Sequence, residues 1–135
     1  MDKLSPTKRS EIMRNIRGKD TAPEMAVRSL VHRMGYRYRL HAKDLPGKPD
    51  MVFRSKRKVI FVHGCFWHLH EGCRKAAFPK SKKRYWVPKL LRNRERDERI
   101  LQELKTMGWK ALVIWQCQLA KKELISRKIN RFLAR

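Results

Sequence analysis

Two continuous apolar runs, Val59-Ile60-Phe61-Val62 and Ala111-Leu112-Val113-Ile114-Trp115, set the first constraint on this chain. A strand with one wet face alternates polar and apolar positions, so unbroken β-branched runs read as strands covered on both faces. Helices must do the covering. A capping box, Thr21-Ala22-Pro23-Glu24, opens a helix that carries Ala26, Val27, Leu30, Val31 and Met34 at helical spacing and stops at Gly35. Residues from about 84 to 107 read as a long helix with Leu90, Leu101, Leu104 and Met107 inward, Arg92, Arg94, Arg96 and Arg99 outward, and Gly108 at its end. The tail from about 121 to 135 is a further amphipathic helix built on Leu124, Ile125, Ile129, Phe132 and Leu133. A basic first helix is expected over residues 1–18, where Ser5 caps, Pro6 takes the first helical position, and Ile12, Met13 and Ile16 sit among Lys and Arg.

Between the helices, Tyr36, Tyr38 and Leu40 alternate with Arg37, Arg39 and His41, which predicts a strand with one buried and one basic face. The turn Leu45-Pro46-Gly47-Lys48-Pro49 then leads into a second short strand, Asp50-Met51-Val52-Phe53. The order α-α-β-β-β-α-β-α predicts an α/β fold with a mixed sheet and helices on its faces. A chain of 135 residues with 41% hydrophobic content makes one core, and a single domain is expected.

Thirty-five Lys and Arg against twelve Asp and Glu give a net charge of +23, which points to a polyanionic partner such as nucleic acid. No apolar run approaches the roughly 20 residues of a membrane span. The start MDKLSPTKRS lacks a signal peptide's apolar stretch, so a cytoplasmic protein is expected. Three cysteines are an odd number for a disulfide framework, which leaves metal ligation or packing.

Cys65, His70 and Cys73 follow the first apolar run closely, and Cys117 stands just past the second. Three thiolates and an imidazole are zinc's ligands, and a shell closed by four protein groups is a structural site. The competing reading makes Cys117 a small core residue. In so basic a chain, an acid at a strand start stands out: Asp50 can project at the sheet edge to hold a divalent metal against phosphate, or simply cap its turn. His63 and His68 leave the central strand beside it, and either can take a proton from water, stabilise a phosphoryl oxygen, or serve as support or a zinc ligand. Glu24 is both the third residue of the capping box and a candidate acid, whereas His32 and His41 read as ordinary surface or boundary residues. Phe66 and Trp67, with Tyr85-Trp86 at the start of the long helix, are candidates for apolar wedges in a duplex, or for covers over the core.

The strings LPGKPDMVF, VIFVHGCFWHLHEGC, KLLRNRERD and VIWQC, in this order, resemble the very-short-patch-repair endonuclease family over about Thr7 to Cys117. The resemblance implies a restriction-endonuclease-like fold and a magnesium-dependent enzyme that nicks on the 5′ side of a thymine opposite guanine, the product of 5-methylcytosine deamination. It implies magnesium on Asp50 and the backbone carbonyl of Val62, with His68 as general base and His63 and Glu24 in support. Zinc falls on Cys65, His70, Cys73 and Cys117. Intercalating aromatics fall on Phe66, Trp67 and Trp86, a minor-groove contact on Met13, and mismatch contacts on Lys89 and Asn93. The partners implied are T:G-mismatched duplex DNA, mismatch-repair proteins and a repair polymerase; a monomer acting at the bacterial nucleoid is expected. The rival is a non-catalytic zinc-containing DNA- or RNA-binding module, which has no use for Asp50.

Overall fold

The computed structural model describes residues 21–74 and 81–134. The expected first helix, and Met13 with it, lie outside the described residues. The elements in chain order are α1 (Ala22–Arg33), β1 (Arg39–Leu40), β2 (Met51–Phe53), β3 (Lys58–His63), α2 (Lys83–Thr106), β4 (Lys110–Trp115) and α3 (Lys122–Leu133). They form a mixed α/β fold. Its sheet runs β1-β2-β3-β4, antiparallel through β3 and parallel between β3 and β4. A parallel step needs a long crossover, and α2 supplies it. The register pairs Val62 with Ile114 and His63 with Trp115, so both strands end side by side and their following loops leave from the same end of the sheet.

Strand residues alternate between two cores, which explains why both apolar runs are continuous. Met51, Phe53, Ile60 and Ile114 pack on one face with Val27 and Val31 of α1 and Ile125, Ile129 and Leu133 of α3. Val52, Val59 and Phe61 pack on the other with Leu104 of α2. α1 begins with the reciprocal bonds its sequence predicts: Glu24 N donates to Thr21 Oγ1 (3.4 Å), and Thr21 N donates to Glu24 Oε2 (3.3 Å). At the far end of the chain, buried Lys58 donates from Nζ to the Phe132 carbonyl (2.6 Å), satisfying the last turn of α3. Among the described residues, no helix is long and apolar enough to cross a membrane.

Four details differ from the sequence reading. The Tyr36–His41 alternation yields only the two exposed residues of β1, because β2 offers three residues to pair with; Leu40 is solvent-facing, while Tyr36 and Tyr38 still rest on the core. Met107 caps α2 after its last turn and is exposed instead of inward. Leu124 is exposed too, since Ile125, Ile129 and Leu133, four residues apart, already form the buried stripe of α3. Asp50 is not at the sheet's edge, for β2 lies between β1 and β3.

The turn before Asp50 is fixed by Gly47, whose φ of +75° favours glycine and whose missing Cβ would lie 2.6 Å from Ile100 Cγ2 of α2. Gly47→Ala is expected to cost about 2 kcal/mol from backbone strain and crowding. Urea denaturation checks this, and an unchanged midpoint would contradict it.

Candidate active site and metal centre

The β2–β3 ladder ends at the pair Met51 and Ile60, so the Val62 N–H has run past its strand partner. The Asp50 carboxylate replaces that partner, accepting from Val62 N through Oδ2 at 2.6 Å. Glu24, 3% exposed, reaches the same place from the first turn of α1. Its Oε2 lies 3.2 Å from Arg28 Nη2 and its Oε1 3.3 Å from His41 Nε2. Ligand atoms of Glu24, His41 and Asp50 all lie within 4.8 Å of one another. Burial, then a hydrogen bond shared with Glu24, pushes the Asp50 carboxyl up to about 8, against the pull of the Val62 N–H; Glu24's charge adds to the rise and Arg28's opposes it. Two carboxyls crowded this way need a proton or a cation between them, and their oxygens suit a hard divalent metal.

Beside them, His63 and His68 stack with ring centres 3.8 Å apart and planes within 6°. Burial, then the charge of His68, pushes His63 down to about 2, so its imidazole is neutral at any working pH. Its Nδ1 is buried and has no hydrogen-bond partner among the described residues. His68 Nδ1 lies 2.6 Å from Asp97 Oδ2. A carboxylate only accepts, which assigns the proton to Nδ1 and leaves Nε2 as the basic nitrogen. Glu24, Asp50, Val62, His63, His68 and Asp97 share one open cleft of about 1040 Å³.

The paired ends of β3 and β4 bring the second cluster together. Ligand atoms of Cys65, His70, Cys73 and Cys117 lie within 4.8 Å of one another. His70 Nδ1 is 3.4 Å from Cys117 Sγ, close to the edge of about 3.5 Å expected for a tetrahedral zinc shell. Trp115 stacks on His70 at 4.1 Å and holds the ring. With no cation, burial chiefly, aided by the neighbouring sulfurs, pushes the Cys65 thiol up to about 11. The set fits zinc, which would favour the thiolates.

Comparison with known proteins places the chain in a family. A family model described as DNA mismatch endonuclease Vsr matches residues 1–75. A type II nicking enzyme, V.XorIIP of Xanthomonas oryzae pv. oryzae, is 52% identical over 98% of this chain and 96% of its own length. The chain belongs to the Vsr DNA mismatch endonuclease family. The DNA mismatch endonuclease Vsr of Escherichia coli is 40% identical over 87% of this chain and 75% of its own. A type II nicking enzyme of Neisseria meningitidis, V.NmeAIP, is 39% identical over 98% and 94% respectively. Vsr-family members are DNA endonucleases.

Among the described residues, the others that the Vsr resemblance picks out cluster at the cleft, with Trp67 and Asn93 in its lining. Phe66, Trp67 and Trp86 form a triangle of edge-on rings with centres 5.2, 5.5 and 5.6 Å apart. Trp67 is largely covered, while Phe66 and Trp86 are half-buried. Lys89 Nζ sits over the rings of Trp67, Tyr85 and Trp86, and Asn93 Nδ2 donates to the Trp67 carbonyl at 3.2 Å. Lys89 and Asn93 also line a basic hollow of about 580 Å³ with Arg84, Arg92 and Arg96.

Three site residues escaped the sequence reading. Asp97 was hidden in an arginine-rich run, yet it stands seven residues from each of the buried Leu90 and Leu104, a phase that turns an acid inward. Arg28 stands between the apolar positions that defined its helix and drew no notice of its own. His41, read as a boundary residue, carries a φ of +47° and meets Glu24 and Arg28; local sequence holds no signal for that long-range contact. His32 is exposed, as expected.

A folded-state value near 8 for Asp50 exceeds its ordinary 3.8, so the folded chain holds a proton that the unfolded chain releases between those values. This group therefore makes stability fall as pH rises from about 4 to about 8. In magnesium-free buffer, Asp50→Asn should flatten that part of the melting temperature's fall; parallel pH profiles for the two proteins would contradict it.

Proposed function

We propose that this chain is a strand-nicking endonuclease that hydrolyses the phosphodiester on the 5′ side of the thymine in a T:G mismatch. The observation that carries the reading is the meeting, in one cleft, of the Asp50 carboxylate at the exit of β3 with a neutral His63 and an Asp97-oriented His68. The order of mixed sheet and helices is compatible with a restriction-endonuclease-like fold acting as one domain.

Asp50 and the Val62 carbonyl are the residues that would hold magnesium, with Glu24 supporting Asp50. Magnesium, when bound, neutralises phosphate charge and polarises the phosphoryl group. His68 Nε2 takes the proton of the attacking water, while Asp97 keeps the ring in the right tautomer and steadies its charged form. The water oxygen joins phosphorus, and one sugar oxygen leaves with the bonding pair. His63, kept neutral by burial, offers an N–H to a phosphoryl oxygen. Zinc on Cys65, His70, Cys73 and Cys117 ties down the loop that carries His68.

Recognition falls to the face above the cleft. Phe66, Trp67 and Trp86 act as a wedge between base steps, which a mismatched pair resists less than a matched one. Lys89 and Asn93 contact the mismatched bases. Residues 1–18 add basic side chains for phosphate contact, and Met13 among them is assigned to the minor groove. The net charge of +23 supplies phosphate attraction along the duplex. The setting proposed is a cytoplasmic monomer working with mismatch-repair proteins and a repair polymerase. A non-catalytic zinc module is less favoured, since it gives the Asp97–His68 pair no task.

Nicking of labelled T:G and T:A duplexes, with magnesium and with none, tests the proposal. Cutting should require both mismatch and metal; Asp50→Ala should abolish it, and His68→Ala should lower kcat about 10²–10⁴-fold. Asp50→Ala cutting like wild type removes the mechanism, and equal cutting of the matched duplex removes the specificity.

A further inference from the structure

The Glu24, His41 and Asp50 cluster contains a cation of its own. Arg28 lies one turn after Glu24 on α1, and its side chain is only 10% exposed. Its Nη2 is 3.2 Å from Glu24 Oε2 and 3.0 Å from His41 Nε2. A guanidinium only donates, so with the His41 proton on Nδ1 the contact is a donation into the Nε2 lone pair, in place of a proton shared with Glu24 Oε1. Nη2 carries two hydrogens, one for each of these partners. The His41 Nε2 lone pair and one lone pair of Glu24 Oε2 are therefore engaged by a charged donor, whereas Asp50 Oδ2 accepts a neutral backbone N–H, from Val62, and keeps further lone pairs for a cation.

The identity of the three donors gives this arrangement a consequence. Two carboxylates and an imidazole suit zinc, cobalt and other late first-row transition metals, which outcompete magnesium at mixed nitrogen and oxygen sites. Magnesium favours oxygen ligands and keeps several waters. A chain with a Cys/His cluster suited to zinc close by must keep such metals out of a magnesium site. We propose that Arg28 is a positioning residue that sets metal choice: it occupies Glu24 and His41 so that they cannot join Asp50 in capturing a transition metal, leaving Asp50 for a hard divalent ion. The proposal rests on the reading of Asp50 as the hard-metal ligand. His41 is drawn into place against the cost of its left-handed backbone, φ +47°, which fits a side chain held by its contacts.

Cobalt titration of the full-length, metal-stripped chain tests this, with bound metal counted and the thiolate-to-cobalt absorption followed. Wild type should take one equivalent, marked by the thiolate band. Arg28→Met and Arg28→Gln should each take a second equivalent that adds no thiolate absorption, and His41→Ala in either background should remove it. Arg28→Gln keeps a polar, uncharged side chain on a shorter stem, and circular dichroism shows which variant is folded. The proposal is overturned if a folded Arg28 variant stops at one equivalent, or if wild type takes a second that His41→Ala abolishes, a result that needs no Arg28 variant. Failure of the hydrolytic reading is seen separately, as undiminished nicking by Asp50→Ala.

Discussion

A half-buried carboxylate, placed where a strand ladder gives out, is the constraint on which the site is built. Asp50 completes the hydrogen bonding of β3 by accepting from Val62 N at 2.6 Å, so the side chain that would bind metal is also part of the sheet's backbone pattern. That bond fixes its position, and burial beside Glu24 makes it hold a proton or seek a cation. Asp50 is rigid because the sheet is, and electrostatically unsatisfied because a second acid arrives from α1.

The parallel pairing of β3 with β4 organises the rest. Because His63 pairs with Trp115, the loops beyond them start together, and a Cys/His cluster joins the two loops just where His68 must be held against α2. The same helix that makes the parallel crossover possible brings Asp97 to His68 and presents Lys89 and Asn93 on its upper face. The proposed chemistry, loop anchoring and base contact would thus all hang on one βαβ unit, with α1 contributing the second acid and the arginine beside it.

Much of this was readable from residues alone, for identifiable reasons. The continuous runs of β3 and β4, the capping box at Thr21 and the glycine stops are local patterns, and the structure follows them. The Cys/His spacing is local too, save for Cys117, whose approach depends on the parallel register. What escaped was long-range or masked. Asp97 lay in a charge run that reads as a solvated face, and His41 meets Glu24 only through the turn of the chain after α1. The Tyr36–His41 alternation overstated a strand because pairing length is set by the partner, and β2 is short.

The central claim, that the Asp50 carboxylate and the Val62 carbonyl hold the working metal, is most directly tested in crystals grown with Mn2+ in place of magnesium. Anomalous difference density should place manganese within about 2.0–2.6 Å of both groups, with Arg28 still on Glu24 and His41. A strongest active-site peak lying out of reach of Asp50 would contradict the account.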